Sequence, residues 1–230
     1  MRALIVIPAY NEEDSIVSVV ESVVAAGYDY VVINDGSKDG TLRACREHGI
    51  NVVDLPQNLG IGGAVQTGHL YAYHHDYDVD VQIDGDGQHD ISYLPRLLEK
   101  IEEGYDLVIG SRFVEQTGGF QSTALRRFGI SWLRGCIKRV SGLTITDATS
   151  GFRASGRRAI ELFSRRYPTD YPEPESIVFA HNEGLEICEV PVVMRERQGG
   201  TSSIGVLSSV YYMIKVTLAI LIEGMSKRGR

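Results

Sequence analysis

Residues 81–90 read VQIDGDGQHD, so Asp84, Asp86, Gln88 and His89 crowd the end of an apolar run with glycines as spacers. Glycine lets a backbone and its neighbouring carboxylates come close to a ligand. Hard divalent cations take oxygen ligands, and Mg2+ is typically held by one or two carboxylates plus substrate phosphates. Asp84, Asp86 and the amide oxygen of Gln88 are therefore candidate ligands for Mg2+ or Mn2+, with His89 as an outer donor. The run lacks the spaced loop and terminal Glu of an EF-hand. An acidic surface turn broken by glycine would use the same letters, so the neighbouring segments have to carry the argument.

INDGSKDGT, residues 33–41, sets Asp35 directly after an apolar run, where a carboxylate can accept hydrogen bonds from a base or ribose. Ser37 and Asp39 equally suit a tight turn and a helix cap. PAYNEE, residues 8–13, likewise opens a helix. In NLGIGGAVQTG the GxGxxG positions fall on Gly60, Gly62 and Val65, so the third glycine of a dinucleotide site is missing. A close helix entry near a ligand is the reading that remains. His74 and His75 belong to no HExxH pattern, which leaves His89 as the histidine beside a functional loop.

The elements that must position these residues alternate. Apolar, β-branched runs at 3–7, 30–34, 51–55, 79–83 and 106–109 predict buried strands. Segments 13–26, 40–48 and 62–74 have helical spacing between the first four of them. Strands separated by helices predict right-handed crossovers and a mainly parallel sheet, with ligands at the carboxyl ends of the strands. PAYNEE, NDGSKDG, QNLGIGG and DGDGQHD then share one rim. Beyond residue 111 the pattern changes to longer helices richer in Arg. This predicts a single domain over 1–203, with a nucleotide half (1–110) fused to an acceptor half (111–203), followed by a distinct C-terminal segment (204–230).

The 230 residues, 43% of them hydrophobic, can bury a sizeable core. A net charge of −7 argues against nucleic acid as a partner. Cys45, Cys136 and Cys188 are far apart and form no CxxC pair, as expected of reduced packing thiols. MRALIVIPAYNEE has only a short apolar run broken by Pro8, unlike a signal peptide, so a cytoplasmic location is expected.

IPAYNEE, INDGSKDGT, the N-x-G loop at 58–60, DGDGQH, GSRF and DATSGFR occur in the order seen in family 2 glycosyltransferases of the GT-A fold. The chain resembles in particular the polyprenol-phosphate mannosyl- and glucosyltransferases related to dolichol-phosphate mannose synthase. The resemblance implies an α/β GT-A fold, a Rossmann-like, mainly parallel sheet flanked by helices. It implies that Pro8, Tyr10 and Glu12 line the nucleotide, that Asp35 holds its base, and that Asp84, Asp86 and Gln88 organise a divalent metal and the donor diphosphate. Arg112 of GSRF would sit between donor and acceptor phosphates. The family's Arg-x-x-x-Ser pair falls on Arg127 and Ser131, with Arg126 offering a second register, and Ser150 and Arg153 of TSGFR complete the acceptor-phosphate pocket. YPEPE (171–175) and MRERQGGTSS (194–203) resemble the segment closing over the donor, with Arg195 or Arg197 on its phosphates.

Transfer of a sugar from a nucleotide diphosphate needs the leaving group stabilised as charge builds on its oxygens, a task for a metal. A lipid phosphate acceptor is already an anion, so arginines matter for position, their planar fork gripping phosphate bidentately. Asp147 is a candidate weak base, with orientation of Arg153 as its expected role. The C-terminal stretch places Val206, Leu207, Val210, Ile214, Leu218 and Leu221 on one helical stripe. Ser208, Ser209 and Lys215 interrupt it as a span, which predicts an amphipathic helix lying at a membrane surface or packed on the domain or a second subunit. The expectation is an inverting, metal-dependent transferase moving a hexose from a UDP-glucose- or GDP-mannose-class donor to a polyprenyl phosphate at the inner membrane face. A glycan hydroxyl acceptor and a noncatalytic nucleotide-sugar-binding subunit are the alternatives, and a homo-oligomer is left open.

Overall fold

The computed structural model describes residues 1–114, 124–170, 172–194 and 206–226. Seven strands form one sheet in the order β3-β2-β1-β4-β6-β5-β7. They are β1 (Ala3–Ala9), β2 (Asp29–Asn34), β3 (Val52–Asp54), β4 (Val79–Gln82), β5 (Leu107–Ser111), β6 (Arg153–Gly156) and β7 (Ile187–Pro191). Six strands share a direction, and only β6 runs against its neighbours β4 and β5. The five expected strands are all present. β6 and β7 were not legible: RASG carries an Arg and a Gly in a fully buried strand, and ICEVP is too short and mixed to show a period.

Helices cover both faces: α1 (Ile16–Ala25), α2 (Thr41–Glu47), α3 (Gly60–His74), α4 (Leu94–Glu102), α5 (Ala124–Ser141), α6 (Arg157–Arg165), α7 (Pro172–Asn182) and α8 (Val206–Ser226). One face packs Ile5, Ile7, Val81, Ile83 and Val108 against α1, α2 and α4. The other packs Leu4, Val6 and Ile33 against α3, and Leu107 and Ile109 against α5, α7 and α8. Burial on both faces is the reason β1 reads ALIVIPA, an unbroken apolar run.

α1 begins at Ile16 rather than near residue 13. Asn11 adopts φ 58°, in the left-handed region that Asn tolerates, and residues 11–13 bond across to the next loop instead of starting the helix. The C-terminal helix is present and packs on the domain. α5 and α8 lie side by side in the same direction, with Gly129 against Met213, Trp132 Nε1 donating to Thr217 Oγ1 (3.0 Å), and Gly224 seated on Val140. Val216 and Ile220 face inward, while Ile214, Leu218, Leu221, Ile222 and Met225 are exposed along one stripe. Among the described residues, no helix is long and apolar enough to cross a membrane.

Candidate active site

The carboxyl ends of β1, β2 and β4 form a rim whose loops are tied to one another. Asn11 N–H donates to Ser37 Oγ (3.0 Å), Lys38 N–H to Asn11 Oδ1 (2.8 Å), and Glu12 N–H to Thr41 Oγ1 (2.8 Å). Gly40 N–H donates to Glu13 Oε2 (2.7 Å). PAYNEE and NDGSKDG thus form one surface, in which Pro8 is buried, Tyr10 is exposed and Glu12 is half-buried. Asp39 Oδ1 accepts from Thr41 N–H (3.0 Å), closing a tight turn just before the N-cap Gly40 of α2, while Asp35 points inward.

Asp35 is almost fully buried. Its Oδ1 accepts from Leu59 N–H (2.7 Å) and its carbonyl from Asn58 Nδ2 (3.1 Å), so it anchors the N-x-G loop. Burial pushes its carboxyl above the ordinary range, against the pull of the Leu59 and Gly60 N–H groups. That loop leads into α3, where a Cβ on Gly62 would run into the carbonyls of Pro168 and Thr169. The glycine cluster therefore serves a close approach of the chain beyond α6, not a dinucleotide.

In DGDGQH, Asp86 is buried and its Oδ1 accepts from Gln88 N–H (3.0 Å). Asp84 keeps 39% of its side chain exposed. Its N–H donates to His89 Nδ1 (2.9 Å), and His89 stacks on Phe152 at 4.9 Å between ring centroids. Burial lowers the His89 pKa to about 4, which keeps the ring neutral and able to accept that N–H. A Cβ on Gly85 would lie 3.2 Å from the Pro8 carbonyl, so the acidic turn is pressed against the end of β1. Asp84, Asp86 and Gln88 are a hard-oxygen set held at one turn. Among the described residues no three His, Cys, Asp or Glu side chains gather as a closed cage. An open set of two carboxylates and an amide fits a divalent cation that completes its shell with substrate oxygens.

At the end of β5, Arg112 is gripped by Asp147. Its Nε donates to Oδ2 (2.6 Å), its Nη2 to Oδ1 (2.7 Å) and its backbone N–H to Oδ2 (3.1 Å). Asp147 has no exposed surface. This corrects the expectation that Asp147 orients Arg153: its partner is Arg112, because the Asp147 loop is pulled against the end of β5. Glu189 of β7 does the pulling, accepting from Thr146 N–H (2.7 Å) and Asp147 N–H (2.8 Å).

Arg153 is 3% exposed, and its guanidinium donates to Ser150 O (2.7 Å), Ser176 Oγ (2.9 Å) and Ala148 O (3.1 Å). Ser150 is also fully buried, its Oγ accepting from Phe152 N–H (3.3 Å). Both therefore stand inside the wall beneath the rim. The half-buried Glu173 joins them. Burial raises its pKa and Asp84 adds to the rise, while Arg153 opposes it.

Ser131 is exposed on α5 one turn after Arg127. The Arg126 and Arg127 side chains lie outside the described residues, as do Tyr171, Arg195 and Arg197. Sequence reasoning passed over Glu189, Ser176 and Gln82. The first two are single polar letters in unremarkable segments. Gln82 did carry a signal, as a polar residue at an otherwise apolar strand position two before Asp84.

Comparisons with known proteins agree with this fold. The pattern described as "Glycosyl transferase family 2" matches residues 4–163. The undecaprenyl-phosphate mannosyltransferase of Micrococcus luteus is 34% identical over 242 residues, covering 99% of each chain. The polyprenol monophosphomannose synthase of Mycolicibacterium smegmatis is 31% identical over 213 residues, covering 87% of this chain and 80% of that one. Among solved structures, glucosyl-3-phosphoglycerate synthase from Mycobacterium tuberculosis in complex with UDP superposes with a TM-score of 0.74 at 21% identity, over 97% of this chain and 80% of that chain. Its complex with Mn2+, UDP and glucosyl-3-phosphoglycerate gives a TM-score of 0.72 at 23% identity, over 97% and 79%. The seven-stranded sheet with its acidic turn at the end of β4 is the GT-A fold, and the chain belongs to glycosyl transferase family 2 as a glycosyltransferase.

Proposed function

We propose that this enzyme transfers a hexose, with inversion, from a nucleotide sugar of the UDP-glucose or GDP-mannose class to a polyprenyl phosphate. The observation that carries the reading is the convergence of the Asp84–Asp86–Gln88 oxygen set and the Asp147-held Arg112 at one end of the sheet. The full-length likeness to a polyprenyl-phosphate mannosyltransferase supports the acceptor class. Residues 1–110 are read as the donor half, 111–203 as the acceptor half, and 204–230 as a separate C-terminal helix and tail.

A divalent cation, Mg2+ or Mn2+, held by Asp84, Asp86 and Gln88 would supply Lewis-acid stabilisation of the departing diphosphate. Pro8, Tyr10, Glu12 and Asp35 form the donor wall, with Arg195 or Arg197 assigned to the donor phosphates. An oxygen of the lipid phosphate attacks the anomeric carbon as the bond from that carbon to the diphosphate breaks, its electron pair leaving on the nucleoside diphosphate. The nucleophile is an anion at neutral pH, so no protein base is required. Arg112, pre-oriented by Asp147, grips the phosphate, with Arg127 and Ser131 assigned to the same group; Arg153 and Ser150 shape the pocket from beneath. A glycan hydroxyl acceptor would require a carboxylate base such as Asp147, and a fully buried carboxylate committed to Arg112 is poorly suited to that.

The exposed stripe of α8 and the basic tail beyond it suit an anionic membrane surface, where a polyprenyl phosphate resides, at the cytoplasmic face. Release of UDP from UDP-glucose or GDP from GDP-mannose, measured with and without undecaprenyl phosphate and with Mn2+ or chelator, tests the whole reading. Release that requires both lipid phosphate and metal is expected. Release indifferent to the lipid would overturn the acceptor assignment.

A further inference from the structure

β4 carries a polar row on the face turned toward α3, α6 and α7. Val79, Val81 and Ile83 join the apolar core of the opposite face, so by strand alternation Asp80, Gln82 and Asp84 share this one. Two of the three have clear work. Asp80 is buried against His69, with Nδ1 to Oδ2 at 2.7 Å, and Asp84 belongs to the cation site. Gln82 lies between them, 4% exposed, and among the described residues its Nε2 has no hydrogen-bond partner. A buried donor left unmade costs on the order of 1–3 kcal/mol. A Leu of similar volume would avoid that, so the amide calls for a reason.

Its surroundings supply one. The guanidinium of Arg153, its register partner on β6, is committed to Ser150, Ala148 and Ser176. Opposite stands Gly151, and a Cβ there would lie 3.1 Å from both Gln82 Nε2 and Asp84 Oδ1. One donor and one acceptor thus stand against the same bare Cα, with no side chain between them. A hydroxyl both donates and accepts, and it fits that pair. A phosphate offers only acceptor oxygens and would be repelled by Asp84. Same-face residues two apart are separated by about 6.6 Å along a strand, a span that one sugar ring bridges from a diphosphate anchored at Asp84.

We propose that Gln82 reads the transferred sugar, its carboxamide donating to a hydroxyl of the donor's hexose whose own proton goes to Asp84. The inference rests on the nucleotide-sugar reading above and makes Gln82 a specificity-determining residue. The test titrates wild type and Gln82→Leu, each with Mn2+, against UDP, UDP-glucose, GDP and GDP-mannose, and records thermal unfolding of both without ligand.

The variant should keep its affinity for whichever nucleoside diphosphate the wild type binds, and lose roughly 3- to 10-fold for the corresponding nucleotide sugar, as for one neutral hydrogen bond. Its ligand-free melting temperature should match or exceed that of the wild type. One monodeoxy donor should cost the wild type the same factor and leave the variant indifferent. Equal losses for diphosphate and nucleotide sugar, or no loss for either, would overturn the assignment. A loss confined to undecaprenyl phosphate would move Gln82 to the acceptor and overturn it too. Wild type that binds none of the four would instead defeat the nucleotide-sugar reading, and this inference with it.

Discussion

Asp147→Asn tests the clamp on Arg112. All the hydrogen bonds made to the Asp147 carboxylate come from donors: Arg112 N–H and Nε on Oδ2, and Arg112 Nη2 and Thr149 Oγ1 on Oδ1. Asn keeps one accepting oxygen and turns an NH2 against two donors. Asp147 has no exposed surface and the Arg112 side chain only 10%, so the change strands a nearly buried guanidinium. Breaking a buried ion pair from one side costs about 3–5 kcal/mol. For a chain of this length that corresponds to a fall in Tm of roughly 6–20 °C. Thermal unfolding by circular dichroism reads it directly, and a double-mutant cycle with Arg112→Met should return a coupling above about 1 kcal/mol. A Tm within about 3 °C of wild type, well below that range, together with lost turnover, would refute the reasoning. Asp147 would then act in the chemistry and not as the clamp on Arg112.

His89→Asn addresses pH. Burial holds the folded His89 near 4 instead of the ordinary 6.5, so the unfolded chain binds the extra proton first as pH falls. Its contribution is full above pH 6.5 and is lost between there and about 4, amounting to on the order of 3 kcal/mol. The Asn variant should lose less Tm than wild type across that window, and an identical slope would contradict a buried neutral imidazole. Gly62→Ala drives a methyl into the Pro168 and Thr169 carbonyls and should destabilise by about 1–3 kcal/mol, read as a lower urea midpoint at unchanged m. Leu218→Glu with Ile222→Glu alters only exposed positions of α8. It should abolish co-sedimentation with anionic vesicles while leaving Tm near wild type, and undiminished vesicle binding would remove α8 from the membrane contact.

Much of residues 1–110 was legible because the signals there are local. A two-sided buried strand shows as an unbroken apolar run such as ALIVIPA, and a ligand turn shows as acids spaced by glycine directly after one. DGDGQH, NDGSKDG and PAYNEE could be assigned to one rim from alternation alone, since parallel strands bring their carboxyl ends together. The part beyond residue 111 was legible as a set of family letters but not as geometry. Nothing in DATSGFR says that Asp147 turns to Arg112 and not to Arg153. That choice depends on Glu189, 42 residues further on, pulling the Asp147 N–H from β7. The antiparallel β6 was equally hidden, because RASG is buried by its neighbours on both sides and not by its own hydrophobicity.

The sequence by itself determined the family, the parallel strands β1 to β4 and the acidic turn, since each is written in neighbouring residues. Tertiary structure alone decided which guanidinium Asp147 holds, that Arg153 and Ser150 stand beneath the rim, and that Gly151 of a distant loop lies against Gln82 and Asp84. Those outcomes depend on long-range packing and on which buried polar groups find partners, and neither is encoded at short range.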